Sequence, residues 1–391
     1  MPIPNRIAAL SEEMQAWRHD LHAHPELGFQ ERRTSELVAE RLSSWGIEVH
    51  RGIAGTGVVG VLRGQGEGPS IGLRADMDAL PMQEANDLPH RSRHPGAMHA
   101  CGHDGHTAML LGAAKYLAET RNFSGTVIFI FQPAEEGLGG GREMVKEGLF
   151  QRFPCDSVYA VHNDPTIPLG EAAAITGPVL AASDRFQIKV RAKGGHAALP
   201  HLAVDPVLIG AHIVTGLQSI VSRRVDPIGS AVVSVTMFHA GSAMNVIPDE
   251  AELKGTARTM RAEVQDFVEA AIARIATQTA EAHDAVAEVT YTRGYPPTVN
   301  HAEQTERAAA VLAEILGEKC VRRDHPPSMG GEDFSFMLNE RPGAFLLLGQ
   351  RAPDGRGGVP VHHPRYDFND SLLPIGAAFF ARMVERELPR R

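Results

Sequence analysis

The stretch His99-Ala100-Cys101-Gly102-His103-Asp104-Gly105-His106, followed by Thr107-Ala108-Met109-Leu110-Leu111-Gly112-Ala113-Ala114, decides how the rest of the chain is read. Three histidines, a cysteine and an aspartate fall within eight residues. An apolar run of helical character follows at once, so Asp104 and Gly105 stand where a helix begins. The polar cluster therefore lies at the mouth of a buried element. Thiolate sulfur and neutral imidazole nitrogen are the side-chain donors that best bind zinc-like cations. This segment supplies too few of them for a complete site, so further ligands must come from elsewhere.

On either side, apolar strands end in residues of the same chemical type. Val58 to Leu62 reads as a strand, and the apolar run from Ser70 as a second that ends abruptly in the two aspartates of Asp76-Met77-Asp78. Polar residues at the carboxyl ends of strands face the ligand crevice of an open α/β sheet; capping of a turn is the alternative use of Asp here. Gly125 to Phe131 is rich in β-branched and aromatic residues and suits a strand buried on both faces. It delivers Gln132-Pro133-Ala134-Glu135-Glu136. Adjacent carboxylates there are costly unless a cation compensates, which suggests that one Glu binds metal while its neighbour handles protons. The glycines at 137 and 139 to 141 equally permit a solvated loop. A third strand, Ser157 to Val161, ends in His162. Each ending is weak alone; together they describe one polyvalent site.

Helical spacing runs from Ile7 to Trp45, broken at Pro25, and returns from Glu303 to Leu316 and from Leu372 to Leu388. Between about 183 and 296 the character changes to strand, helix, strand, strand, helix, strand. That βαββαβ order is ferredoxin-like. The expected architecture is α/β: a catalytic mixed-sheet domain with helices on both faces, formed by 1–182 and 297–391, interrupted by an inserted domain at 183–296. The insert carries its own polar features, His196 in Gly194 to His201, Asn245 in Ala243 to Pro248, and Arg258 at a strand end.

The 391 residues exceed what one core normally serves. A net charge of −9 argues against nucleic acid or an anionic membrane as partner. The N-terminal residues have no signal-peptide pattern and no apolar run approaches a membrane span. Three widely separated cysteines, Cys101, Cys155 and Cys320, suit a reducing compartment. A cytoplasmic location is the expectation.

The segments Leu73 to Pro81, Met98 to Thr107, Gln132 to Glu136, Gly194 to Pro200, Asn245 to Asp249 and His362 to Asp370 together resemble the dinuclear metallo-aminoacylase/carboxypeptidase family. Within it they are similar to the branch of hippurate hydrolases, N-acyl-amino-acid amidohydrolases and indole-acetyl-amino-acid hydrolases. The resemblance implies two divalent metal ions held by Cys101, His103, Glu136, His162 and His362, with Cys101 able to bridge both. It implies Glu135 as general base, Asp78 as a residue that orients ligands, and His196, Asn245 and Arg258 as holders of the scissile carbonyl and substrate carboxylate. It further implies that the insert is a lid that mediates homodimerisation and from which His196 and Asn245 reach into the partner's site. Asp76 departs from the wider family, many members of which have a metal-binding histidine there. Zinc, manganese, cobalt and nickel all suit a mixed sulfur, nitrogen and oxygen shell. The expected substrate is an N-acyl amino acid, whose acyl group the residues do not reveal; a dipeptidase or carboxypeptidase and a non-catalytic metal-binding dimer are the alternatives.

Several residues read as plain structure. His22 and His24 at a helix end and the run His90, His94 and His99 are expected to be solvated or turn-forming. Cys155 and Cys320 read as inert thiols, and Glu332-Asp333 as the start of a helix favoured by its dipole.

Overall fold

The computed structural model describes residues 3–390, and the chain divides into two compact units. The first comprises Met1–Gly177, Val299–Pro326 and Asp333–Arg391; the second comprises Pro178–Thr298 with Pro327–Glu332. The sequence expectation places the boundaries at 183 and 296 and leaves 327–332 with the catalytic domain, in its 297–391 segment.

The first unit is built on an eight-stranded sheet. Its strands are β1 (Glu48–Ile53), β2 (Gly57–Arg63), β3 (Ser70–Asp76), β4 (Thr126–Gln132), β5 (Ser157–Pro168), β6 (Ala172–Ala173), β7 (Val321–Arg322) and β8 (Gly343–Arg351). They lie in the order β1-β2-β4-β3-β5-β8-β6-β7. The central four, β4, β3, β5 and β8, are mutually parallel, while β1, β2 and β4 pair antiparallel. The sheet is mixed for that reason. β3 and β4 are buried along nearly their whole length, as continuous runs such as Val127 to Phe131 require when both faces are covered. Helices Ser11–Ala23, Arg32–Ser44, His103–Thr120, Ala302–Leu316 and Leu373–Glu387 contribute Met14, Val38, Leu111, Leu312, Phe379 and Phe380 to the same apolar core as Phe129, Tyr159 and Leu346 of the sheet.

Register places the chemistry. Asp76 at the end of β3 is opposite Gln132 at the end of β4, so both chains turn out of the sheet at one level. β5 does not stop at Val161 as the apolar run predicts. It continues to Pro168 because β8 keeps pairing with it, His162 opposite Leu347. Pro165, which has no N–H to offer, falls where that register shifts.

In the second unit, strands Ala182–Arg191, Ala231–Ala240, Glu250–Thr259 and Val286–Tyr295 form an antiparallel sheet. Their spatial order is second, third, first, fourth along the chain, which with helices Pro206–Ser219 and Ala262–Glu281 is the ferredoxin-like arrangement. Ile209, Ile213, Val268 and Ile272 of those helices share a core with Ile188 and Leu253 of the sheet. Among the described residues no helix is long and apolar enough to cross a membrane.

Candidate metal centre

The helix His103–Thr120 starts on Gly102, whose φ of 103° lies in the left-handed region. A Cβ there would meet Asn163 Oδ1 at 2.1 Å and Tyr366 Oη at 2.8 Å. Glycine alone meets both demands. The sharp turn it allows sends Cys101 and His103, on either side, toward one place.

Asp78, two residues past the end of β3, ties that place together. Nδ1 of His103 lies 2.9 Å from the Asp78 carbonyl oxygen and 3.3 Å from its Oδ1. Nδ1 therefore carries the proton, and Nε2 presents its lone pair to the site. The backbone N–H of Glu135 donates to Asp78 Oδ1 at 3.0 Å, and that of Glu136 to Oδ2 at 2.9 Å. A single buried carboxylate thus orients a histidine and both glutamates.

Opposite, His162 gives its Nδ1 proton to the Asn163 carbonyl at 2.8 Å, leaving Nε2 at 3.4 Å from Cys101 Sγ. His362, at a left-handed φ of 62°, is anchored by its N–H to the Ala100 carbonyl at 2.7 Å. Its Nε2 stands 3.2 Å from Glu136 Oε1, at ion-pair distance but out of hydrogen-bond line.

Donor atoms of Cys101, His103 and His162 lie within 4.8 Å of one another, as do those of Cys101, Glu136 and His362, and those of His103, Glu135 and Glu136. The first two groups share the Cys101 sulfur. His103 Nε2 and Glu136 Oε1 are buried, have no hydrogen-bond partner and are 4.0 Å apart. Buried polar atoms are rarely left unpaired, and thiolate, imidazole and carboxylate donors are those that a divalent transition metal takes. The residues fit a pair of such ions.

The charges agree. Burial, and then Glu136, pushes the Cys101 thiol up. Cys101 and Glu136 draw His362 up to about 10. Burial opposes charge on His103, but Asp76 and Cys101 outweigh it and hold this imidazole well above its ordinary range. His162, half-buried and beside His106, is held well below by desolvation first and then by that neighbour. The carboxylates that favour a proton on these imidazoles would equally favour a divalent cation there, since metal and proton compete for the same nitrogen lone pair.

Asp76 is already committed. Arg74 donates to its Oδ2 at 2.7 Å, and His106 Nδ1 lies 2.6 Å from its Oδ1. Fully buried Arg74 also bonds Gln132 at 2.9 Å and Asp333 at 3.2 Å. Asp333 in turn accepts from the Gly141 N–H at 2.7 Å.

That arrangement corrects the expectation for Glu332-Asp333, since the helix begins only at Ser335 and Asp333 is a buried ionic anchor. Two histidines also differ from expectation. His99 is buried, neither ring nitrogen has a hydrogen-bond partner, and burial lowers it to about 4. His22 is buried between Asp104 at 2.9 Å and Glu84 at 3.4 Å; against the opposing effect of burial these carboxylates raise it to about 9. His90 stacks on His19 at 3.8 Å, and His94 is exposed. Cys155 is buried, which pushes its thiol up to about 12, and Cys320 is partly exposed; both are unpaired.

Cys101, His103, Glu135, Glu136, His162, His362 and Asp78 all belong to the first unit, whereas His196, Asn245 and Arg258 belong to the second. There, Gly195–His196 pairs antiparallel with Val246–Ile247, and Ala197 N–H donates to the Asn245 carbonyl at 3.1 Å. His196 and Asn245 are thereby neighbours on one exposed two-stranded ribbon. Ala198 N–H donates to His196 Nδ1 at 3.0 Å, so His196 Nε2 keeps the proton and can donate outward. Arg258 is half-buried in strand Glu250–Thr259. Reading the residues alone missed Arg74, His106, Asn163, Asp333 and Glu31; the nearest signal was Arg74 itself, a cation inside an apolar strand.

The sequence model of peptidase family M20/M25/M40 matches residues 72–386. Hippurate hydrolase of Campylobacter jejuni is 42% identical over 98% of both chains. IAA-amino acid hydrolase ILR1-like 2 of Arabidopsis thaliana is 41% identical over 98% of this chain and 88% of its own. The crystal structure of a dinuclear metal-binding peptidase of the M20 family from Bacillus subtilis superposes with a TM-score of 0.86 at 35% identity, covering 97% of this chain and 99% of that one.

Proposed function

The chain belongs to peptidase family M20/M25/M40 and is a metal-dependent hydrolase of amide bonds, and on that premise we propose that it cleaves N-acyl amino acids to a carboxylic acid and a free amino acid. The observation that carries this reading is the pair of donor groups joined at Cys101 with Glu135 beside them. Two divalent cations at Cys101, His103, Glu136, His162 and His362 would supply Lewis acidity and make a water molecule acidic near neutral pH. Zinc or manganese suits the donor set first, with cobalt and nickel also compatible.

The chain's own residues supply the remaining roles. Glu135 accepts a proton from the attacking water and returns it to the leaving nitrogen, so that the amine departs neutral. Asp78 holds the backbone of Glu135 and the ring of His103 in place. In the partner's site of a dimer, His196, with its proton on Nε2, donates to the carbonyl oxygen as negative charge develops, and Asn245 adds a second polar contact. Arg258 presents a planar fork to the substrate carboxylate, which Lys would not match.

The second unit is the lid and dimerisation domain of a homodimer. Val207, Leu208, Met237 and Phe238 are exposed on its helix Pro206–Ser219 and edge strand Ala231–Ala240, and such apolar surface supports association. The three unpaired thiols support a cytoplasmic setting. Protein reconstituted with each metal is to be assayed on hippurate, N-acetyl and indole-acetyl amino acids and dipeptides. Preferential turnover of the acyl conjugates is expected; preference for dipeptides would make it a peptidase, and no turnover at full metal content would make it a binding protein. Sedimentation is expected to give twice the chain mass.

A further inference from the structure

We propose that Glu31 is a positioning residue for Glu135, a role that rests on the amidohydrolase reading above. Glu31 precedes the helix Arg32–Ser44 and is fully buried. Its Oε1 accepts the Ala134 N–H at 2.8 Å and its Oε2 the Thr56 hydroxyl at 2.6 Å. Burying a carboxylate is costly, and these two donors are what hold it.

The bond to Ala134 matters because of what Ala134 does. Its φ of 54° is left-handed, a conformation unfavourable for a residue with a Cβ. Its carbonyl is fixed as well, by the Gly140 N–H at 3.0 Å. That turn swings the chain leaving β4 so that the next two N–H groups reach Asp78. Three successive amides are therefore held by two buried carboxylates, the first by Glu31 and the other two by Asp78. Asp78 also touches His103, so its loss disturbs ligand and base together. Glu31 has no hydrogen bond to either glutamate side chain or to His103, and acts only through the backbone that aims Glu135.

The test compares Glu31→Ala and Glu31→Gln with wild type in metal-loaded protein. Glu31→Ala is expected to lower kcat by about tenfold to a hundredfold, the cost of misaiming a catalytic group, with KM and metal content within about twofold. Glu31→Gln keeps an oxygen for the Ala134 N–H and should recover kcat to within about threefold. Unchanged kcat in folded Glu31→Ala, or an equal loss in Glu31→Gln, overturns the role. Should Glu31→Ala fail to fold, Glu31→Asp, too short to reach both partners, takes its place with the same expectations. Hydrogen exchange separates this inference from the reading beneath it. If wild type cleaves no acyl amino acid, that reading fails. Faster exchange of the Ala134 to Glu136 amides in Glu31→Ala, but not in Glu31→Gln, still supports the latch, and unchanged exchange overturns it.

Discussion

Asp78 Oδ1 lies 3.3 Å from His103 Nδ1 while accepting the Glu135 N–H at 3.0 Å. One carboxylate oxygen therefore sits between a metal-type donor and the residue assigned to proton transfer. Its sister oxygen holds the Glu136 N–H at 2.9 Å, so both oxygens of this buried group face hydrogens.

Asp78→Asn replaces one acceptor with an NH2 group that cannot receive an N–H. Metal affinity should fall about tenfold to a hundredfold, as for partners behind metal ligands generally, and kcat should fall with it. Titration against a chelator-buffered metal measures the first effect. An affinity equal to wild type would remove Asp78 from its orienting role.

Glu135→Gln and Cys101→Ala should separate chemistry from metal binding. The first is expected to keep its metal while losing about a hundredfold to ten-thousandfold in kcat, the range for a positioned acid–base group. The second removes the sulfur common to two donor groups, so elemental analysis should find metal content itself reduced. Near-normal turnover in Glu135→Gln, or full occupancy in Cys101→Ala, would contradict the assignments.

Gly102→Ala combines a left-handed φ with a Cβ 2.1 Å from Asn163 Oδ1. The backbone cost is about 1–2 kcal/mol, and overpacking adds about 1–3 kcal/mol. Urea denaturation should register a loss of that order, accompanied by weaker metal binding. A stability unchanged within experimental scatter would show that the helix start can shift at no cost.

Glu31 supplies a pH test. Burial first, with the Asp78 charge adding, raises it from 4.5 to about 7 against its hydrogen bonds. The folded state therefore holds this proton where the unfolded chain releases it, and stability falls as pH rises from about 4.5 to about 7. A shift of that size corresponds to about 3 kcal/mol. Glu31→Gln, always neutral, lacks this dependence, so the stability of wild type relative to it should decline from pH 5 to pH 7 and level off above. A flat difference across that range would mean that Glu31 titrates normally.

Much of the architecture follows from the residues alone. Runs such as Val127 to Phe131 are apolar throughout because both faces of β4 are covered, and period and turn chemistry are local properties. The ligand types were legible for a similar reason, since Cys101 with His103, and Glu135 with Glu136, are chemistry concentrated within a few residues. What the order of residues could not disclose is which distant partners a polar side chain meets. His99 follows exposed His94 by five positions in the chain yet is buried. Asp333 resembles a helix-starting acid yet anchors Arg74 across 259 positions, and Glu31 reaches Ala134 across 103. Burial and hydrogen-bond partners depend on strand register and on how layers pack, and side chains of identical type take opposite roles according to that packing. Local pattern determined the elements and the donor set; only the tertiary structure decided which carboxylates hold the loop of Glu135 and Glu136.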